Sequence, residues 1–312
     1  VAGRLLVRTS EGVRMQLVNV DRDLFLIPSL AIHMNRSVND GYAYKVQRDL
    51  LPLYGAAEAP DLTALVAETA GISPESVIGH DLFVYNRQAP SIWGADREFM
   101  SSPRLDDLQC AFSSLCGFLE SAPEESLPVH VVFDNEEIGS ETKQGAASVF
   151  LPETLAAISE ALGLSAADHR ALLADSMMLS CDNGHARHPN HPELADTNEA
   201  PVPNGGVVVK HSPRYATDGV SAAVFTELCR RAEVPVQHYA NRPDQMGGAT
   251  LGNIADTKLP IPTVDIGMAQ LAMHSCYETA GARDIVSLIR LMEEFYASHF
   301  EETASGTLAI CK

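Results

Sequence analysis

The chain has 312 residues, 46% of them hydrophobic, with 22 Lys and Arg against 41 Asp and Glu, a formal charge of −19. That length and apolar content suffice for one large domain, or a main domain with a smaller attachment. So acidic a balance argues against nucleic acid and anionic membrane as partners, both of which need basic patches, and it leaves room for bound cations. The six cysteines (Cys110, Cys116, Cys181, Cys229, Cys276 and Cys311) form no C-x-x-C pair, which points to a reduced, cytoplasmic protein. No run reaches the ~18 apolar residues that a membrane span requires.

Residues 1–75 read differently from the remainder. "GRLLVRTSEGVRMQLVNV" alternates and turns like a hairpin, with Ser10-Glu11-Gly12 at the turn. Val1 falls in mid-strand, so the chain is expected to begin inside a longer protein. "APDLTALVAETAGI" reads as a helix ended by Gly71. From residue 76 onward, strands and helices alternate. "DLFVYN" reads as a strand. Leu105, Leu108, Phe112, Leu115 and Leu119 then recur at steps of 3, 4, 3 and 4, one face of a helix. "VHVVFD" reads as a strand and "LPETLAAISEAL" as a helix with Pro152 near its first turn. "SMMLSCD" and "GVVVK" are short apolar runs, and "TDGVSAAVFTELCRRA" is a helix capped by Thr217 or Asp218. "VPVQHYA", "IPTVDIG" and a helix from Ala282 to about His299 complete the series. Repeated β-then-α units predict an α/β sheet with helices on both faces.

In such sheets, ligand sites gather beyond the carboxyl ends of the strands. "HVVFDN" runs directly into Glu136 and Glu137, "MMLSC" into Asp182, and "TVDIG" is followed by His274, while Asp106 opens the amphipathic helix. Taken singly, each has an ordinary reading: a solvated acidic turn, a first-turn aspartate favoured by the helix dipole, a packed histidine. Together, one histidine and several carboxylates make a ligand set suited to zinc, cobalt or manganese. Adjacent glutamates at a turn can divide the work, one binding a metal and the next facing the water that it activates.

Four motifs, "SSPRLDDL", "FDNEEIGS", "SCDNGHARHPNHPE" and "VDIGMAQLAMHS", resemble in order and spacing those of the aspartyl aminopeptidases, a family of dinuclear zinc exopeptidases. The resemblance implies a mixed sheet flanked by helices, with residues 76–312 as the catalytic α/β metallopeptidase domain. Residues 1–75 would belong to a smaller β-rich dimerisation domain. It implies two divalent metal ions, most simply zinc, with Asp106 bridging, Glu137, Asp182 and His274 as further ligands, and Glu136 as general base. His185 would touch substrate, Lys210 would pair with an acidic substrate side chain, Tyr215 would follow it, and His33 would reach a neighbouring subunit's active site. The glycine-rich "QMGGATLG" resembles the loop near the catalytic centre. The family's first metal ligand, a histidine in an "H-T-D-S-P"-like segment, has no counterpart in this sequence, so an N-terminal portion is expected to be missing.

The implied activity is removal of an unblocked N-terminal Asp or Glu from peptides by a dinuclear-metal-activated water, in a homo-oligomer, the dodecamer of the family. Two alternatives stand beside it: a dinuclear hydrolase of neutral preference, and a catalytically silent scaffold. His188 and His191, separated by Pro189, are expected to be ordinary loop residues.

Overall fold

The computed structural model describes residues 1–245, 247–303 and 306–312. Met246, in the glycine-rich "QMGGATLG" stretch, therefore lies outside the described residues. The chain divides into two compact units, Val1–Arg87 and Gln88–Lys312.

In the first unit, β1 (Ala2–Thr9) and β2 (Gly12–Asn19) form the predicted hairpin. A short helix α1 (Val46–Asp49) and the longer α2 (Leu62–Thr69) follow. Asp61 caps α2 by accepting the Ala64 N–H, and Gly71, at φ 68°, takes the left-handed turn that ends it. The strand β3 (Val77–Phe83) then returns along β1, giving an antiparallel sheet in the order β2-β1-β3. This pairing carries the first unit past the expected 75/76 boundary to Arg87, whose guanidinium grips Asp21 at 2.9 Å and Asp23 at 2.5 Å. Leu5, Val7, Val18 and Val20 meet Val66 and Ala67 of α2 in this unit's own core.

The second unit begins with β4 (Ser91–Trp93), β5 (Phe99–Ser102) and α3 (Leu105–Glu120). Helices α4 (Phe150–Ala161) and α5 (Ala166–Ala174) precede β6 (Met178–Cys181), β7 (Gly184–His185) and β8 (Val207–His211). Next come α6 (Gly219–Arg231), β9 (Val236–Ala240), α7 (Gly252–Asp256) and β10 (Thr263–Leu271). The elements end with β11 (Glu278–Gly281), α8 (Asp284–Ala297) and a hairpin of β12 (His299–Glu302) and β13 (Leu308–Cys311).

Strand β10 is the spine. Its residues Thr263 to Gln270 are all buried, as befits a strand covered on both faces. It pairs in parallel with β6 and β7 and antiparallel with β8 and β11, so the sheet is mixed. The order β4-β5-β11-β10-β8-β9 completes it. Val207 and Val209 of β8 and Val264, Ile266 and Met268 of β10 pack with Phe225 and Leu228 of α6 and with Leu288, Leu291 and Met292 of α8. Of the two candidate caps for α6, Asp218 serves: its Oδ1 accepts the N–H groups of Val220 and Ser221.

The apolar stripe of α3 lies on one helix face as expected, but that face is not the buried one: Leu108, Phe112, Leu115 and Leu119 are exposed, Leu119 at 70%. The helix instead buries Gln109, Cys110, Ser113, Ser114 and Gly117. Small residues are what the contact demands, since Gly117 lies so close to α8 that a Cβ there would fall 2.4 Å from the Met292 Cβ. The run "VHVVFD" forms no strand among the described residues. It is extended, but a strand needs a ladder partner, and its one backbone bond near the turn is Asp134 N–H to Gln144 O at 3.0 Å. Sequence patterning also passed over α5, β4, β5, β11 and the β12–β13 hairpin, which are short or weakly periodic.

Candidate metal centre

Asp106 comes to the centre through a break in regular structure. The chain leaves β5, passes Arg104 at φ 57°, and enters α3 with Asp106 and Asp107 still outside helical geometry and the peptide bond between them cis. The Asp106 side chain is 5% exposed, and its Oδ2 lies 3.2 Å from His274 Nε2. His274 follows β10 in the left-handed region, at φ 65°. The same Nε2 is 3.0 Å from Oε2 of Glu137. Glu136 and Glu137 stand on a single 3-10 turn, Glu136–Ile138, flanked by the left-handed Asn135 and Gly139, rather than at the end of a paired strand.

Asp106, Glu137 and His274 place one ligand-type atom each within 4.8 Å of the others, and Asp106, Asp107 and Asp182 do the same. Asp106 belongs to both sets. Asp182 directly follows β6, where its carboxylate accepts a hydrogen bond from Lys210 Nζ at 2.8 Å. The Lys210 ammonium lies 5.6 Å from the centre of the Tyr215 ring.

Negative charge dominates. Burial, then the charges of Asp182, Glu137 and Glu278, push the Asp106 carboxyl up to about 8. Burial, then Asp182 and Glu137, push Glu136 up to about 7. Asp107 is held well above the usual carboxylate range, chiefly by burial and then by Cys110 and Asp182. Burial opposes the charge on Lys210, but the Asp182 carboxylate outweighs it and holds the ammonium above its ordinary range. For His185, loss of solvent around the ring and the nearby Lys210 charge hold the imidazole below its usual value.

This donor set fits a divalent cation. Carboxylate oxygens and one imidazole nitrogen converge, and Asp106 Oδ1 is buried without a hydrogen-bond partner among the described residues. A site built of oxygen and nitrogen donors with surplus negative charge suits zinc, cobalt or manganese.

Of the residues singled out in the sequence, Asp106, Glu137 and His274 come together, Asp182 joins through Asp106, and Glu136, Lys210 and Tyr215 adjoin them. The His185 ring centre lies 6.4 Å from that of Tyr239. Lys210, expected to meet a substrate side chain, is paired with Asp182. His33 lies in the first unit on an exposed turn, Ile32–Met34. His188 and His191 are exposed loop residues, their rings 5.2 Å apart.

Three supporting residues went unread in the sequence. Asp107 accepts the Asn183 N–H at 3.2 Å, and Asn183 in turn donates to Leu105 O at 3.0 Å and Gln270 Oε1 at 2.8 Å. Glu278 accepts the backbone N–H groups of both Asp106 and His274. Asp107 and Asn183 sit beside noted residues in "RLDDL" and "SCDNG", whereas nothing in "SCYETA" marks Glu278.

The profile of the M18 family, described as aminopeptidase I zinc metalloprotease, matches residues 1–296. A probable M18 family aminopeptidase 2 from Clostridium acetobutylicum is 41% identical over 305 residues, covering 95% of this chain and 70% of its own length. A probable M18 family aminopeptidase 2 from Mycobacterium leprae is 36% identical over 304 residues, 96% of this chain and 71% of that protein. Among solved structures, the Ape4–Nbr1 complex superimposes with a TM-score of 0.87 at 31% identity, over 95% of this chain and 62% of that one. The dodecamer of mApe1 from S. cerevisiae gives 0.76 at 28%, over 95% and 68%. This chain thus spans between six and seven tenths of those structures and about seven tenths of the curated relatives. The chain belongs to the M18 family of aminopeptidase I zinc metalloproteases.

Proposed function

We propose that the protein is a metallo-aminopeptidase that removes unblocked N-terminal residues, preferably Asp or Glu, from peptides, using two divalent ions. The observation that carries this reading is the shared position of Asp106 in two converging ligand sets, one with Glu137 and His274 and one with Asp107 and Asp182. Asp106, Glu137 and His274 would hold one ion, and Asp106 with Asp182 the other. Bound there, such ions polarise a scissile carbonyl and acidify the attacking water.

The remaining steps belong to the chain. Glu136, beside the converging donors but in neither ligand set, is placed to take a proton from water and pass it to the leaving amine. Exposed Glu137 and His274 leave one edge open for substrate. The acidic groups around Asp106 attract a protonated α-amine, which favours cleavage at a free N-terminus. Lys210, with Tyr215 beside it, is the cation on which acidic preference rests. A cytoplasmic homo-oligomer, of the dodecameric kind seen for mApe1, completes the reading. His33 would then act across subunits.

One observation favours a second reading, neutral preference: the Lys210 ammonium is already committed to Asp182 at 2.8 Å. Metal analysis together with hydrolysis of Asp-x, Glu-x and Leu-x dipeptides tests both. Two bound ions per chain with faster cleavage of Asp-x and Glu-x support the proposal. Equal cleavage of Leu-x moves it to the neutral form, and absence of both metal and hydrolysis leaves a scaffold.

A further inference from the structure

Glu278 opens β11 and is 2% exposed. Its Oε1 accepts the backbone N–H of His274 at 2.6 Å, and its Oε2 accepts the backbone N–H of Asp106 at 3.0 Å. Those two residues are the ones whose side chains face each other at 3.2 Å in the metal centre. Sheet register explains how one side chain reaches both. β11 pairs antiparallel with β5, Glu278 opposite Ser102, so it lies beside the segment leading into Asp106. It also pairs with the end of β10, beyond which the chain turns to His274.

Both segments need such a hold. Asp106 departs from helical geometry at the start of α3 and His274 sits in the left-handed region, and among the described residues neither amide donates to a backbone carbonyl. Among the described residues, no Lys or Arg forms an ion pair with Glu278, and both its oxygens serve these two amides. Burying a carboxylate is costly unless it is hydrogen-bonded, and here the bonds go wholly to the backbone of the centre.

We infer that Glu278 is a positioning residue that ties the Asp106 and His274 segments together and so sets the spacing of the two side chains for a divalent ion. This inference rests on the metal-centre reading above. A glutamine at 278 keeps one acceptor oxygen and turns an NH2 towards the second amide, donor against donor, which releases one segment. An aspartate keeps both acceptors on a shorter arm.

The test is cobalt(II) titration of the metal-stripped full chain, following the visible absorption bands and the dissociation constant. Glu278→Gln is expected to bind cobalt roughly 10- to 100-fold more weakly, as is typical when a supporting partner of a ligand is lost, with altered band positions. Glu278→Asp should fall between Glu278→Gln and the wild type. Asp284→Asn serves as the control. Asp284 is another buried carboxylate spent on backbone, accepting the N–H groups of Asn204 and Gly206, so this variant disturbs a comparable pair of bonds away from the centre and should keep wild-type cobalt affinity and bands. Wild-type affinity and bands in folded Glu278→Gln overturn the inference, as does equal weakening in Asp284→Asn, which would reduce Glu278 to general rigidity. If Glu278→Gln fails to fold, Glu278→Asp decides, wild-type affinity and spectrum again overturning it. A wild-type chain that takes up no cobalt removes the metal-centre reading itself and the inference with it.

Discussion

The Lys210 ammonium sits 2.8 Å from the Asp182 carboxylate, the lysine side chain 2% exposed and the aspartate 15%. Nearly all the solvation of both charges is replaced by the pair. Removing one partner therefore leaves an uncompensated buried charge, a loss of about 3–5 kcal/mol. Lys210→Met is expected to lose that much stability in urea denaturation of chelator-treated protein, and Lys210→Met with Asp182→Asn to regain part of it. A loss below about 1 kcal/mol would show that Asp182 is compensated by another group.

Glu136, the proposed general base, can be tested apart from metal binding. It lies beside the converging donors but belongs to neither ligand set. Glu136→Gln keeps size and hydrogen bonding while removing the proposed base, so peptide hydrolysis should fall by about 10²–10⁴ with metal content and thermal stability close to wild type. Steady-state kinetics paired with metal analysis checks this. Loss of one ion along with activity would instead make Glu136 a ligand.

The parts of the fold that were legible in the sequence are those encoded locally. The hairpin around Glu11, the helix end at Gly71, the cap at Asp218 and the buried runs of β8 and β10 each carry a turn residue, a capping oxygen or an apolar block that acts over a few positions. The strand-end argument that singled out Asp106, Glu137, Asp182 and His274 fits Asp182 and His274, which follow β6 and β10, whereas Glu137 stands on a 3-10 turn and Asp106 at a helix start. What escaped depends on pairing across long stretches of chain. The α3 stripe keeps perfect helical period, yet the close approach at Gly117 decides which face α8 covers. "VHVVFD" has strand character without a strand's partner. Glu278 acts through backbone amides at Asp106 and His274, a role that leaves no pattern around position 278.

Gly117 tests that packing argument. In an open helix Gly→Ala gains about 1 kcal/mol from propensity. Here the added carbon would fall 2.4 Å from Met292 Cβ, 2.8 Å from Glu293 N and 2.9 Å from Ile289 O, mostly backbone that cannot swing aside. Gly117→Ala is expected to destabilise the protein by about 1–3 kcal/mol overall as α3 and α8 are forced apart. Leu119→Ala, two positions on but 70% exposed, should stay within about 0.5 kcal/mol. Thermal unfolding of the pair distinguishes a helix contact at Gly117 from one at the apolar stripe, which would reverse the order.

Asp284 supplies the pH dependence. It is 1% exposed, and burial raises its carboxyl from 3.8 to about 6 even though the Gly206 and Asn204 amides donate to it and pull the other way. In the unfolded chain the group ionises near 3.8, so between there and pH 6 the folded state binds more protons than the unfolded one. Stability from this group is thus greatest at low pH, falls as pH rises through that window, and is level above it. The full change is about 3 kcal/mol, at 1.36 kcal/mol for each pH unit of displacement. Other carboxylates titrate in the same range, so the informative quantity is the difference between wild type and Asp284→Asn, which lacks the ionisation but shares the rest. That difference should move by about 2 kcal/mol against the wild type between pH 4 and 6.5 in denaturant titrations. A difference independent of pH would mean that Asp284 carries the same charge folded and unfolded, and that its two amide bonds offset the whole cost of burying it.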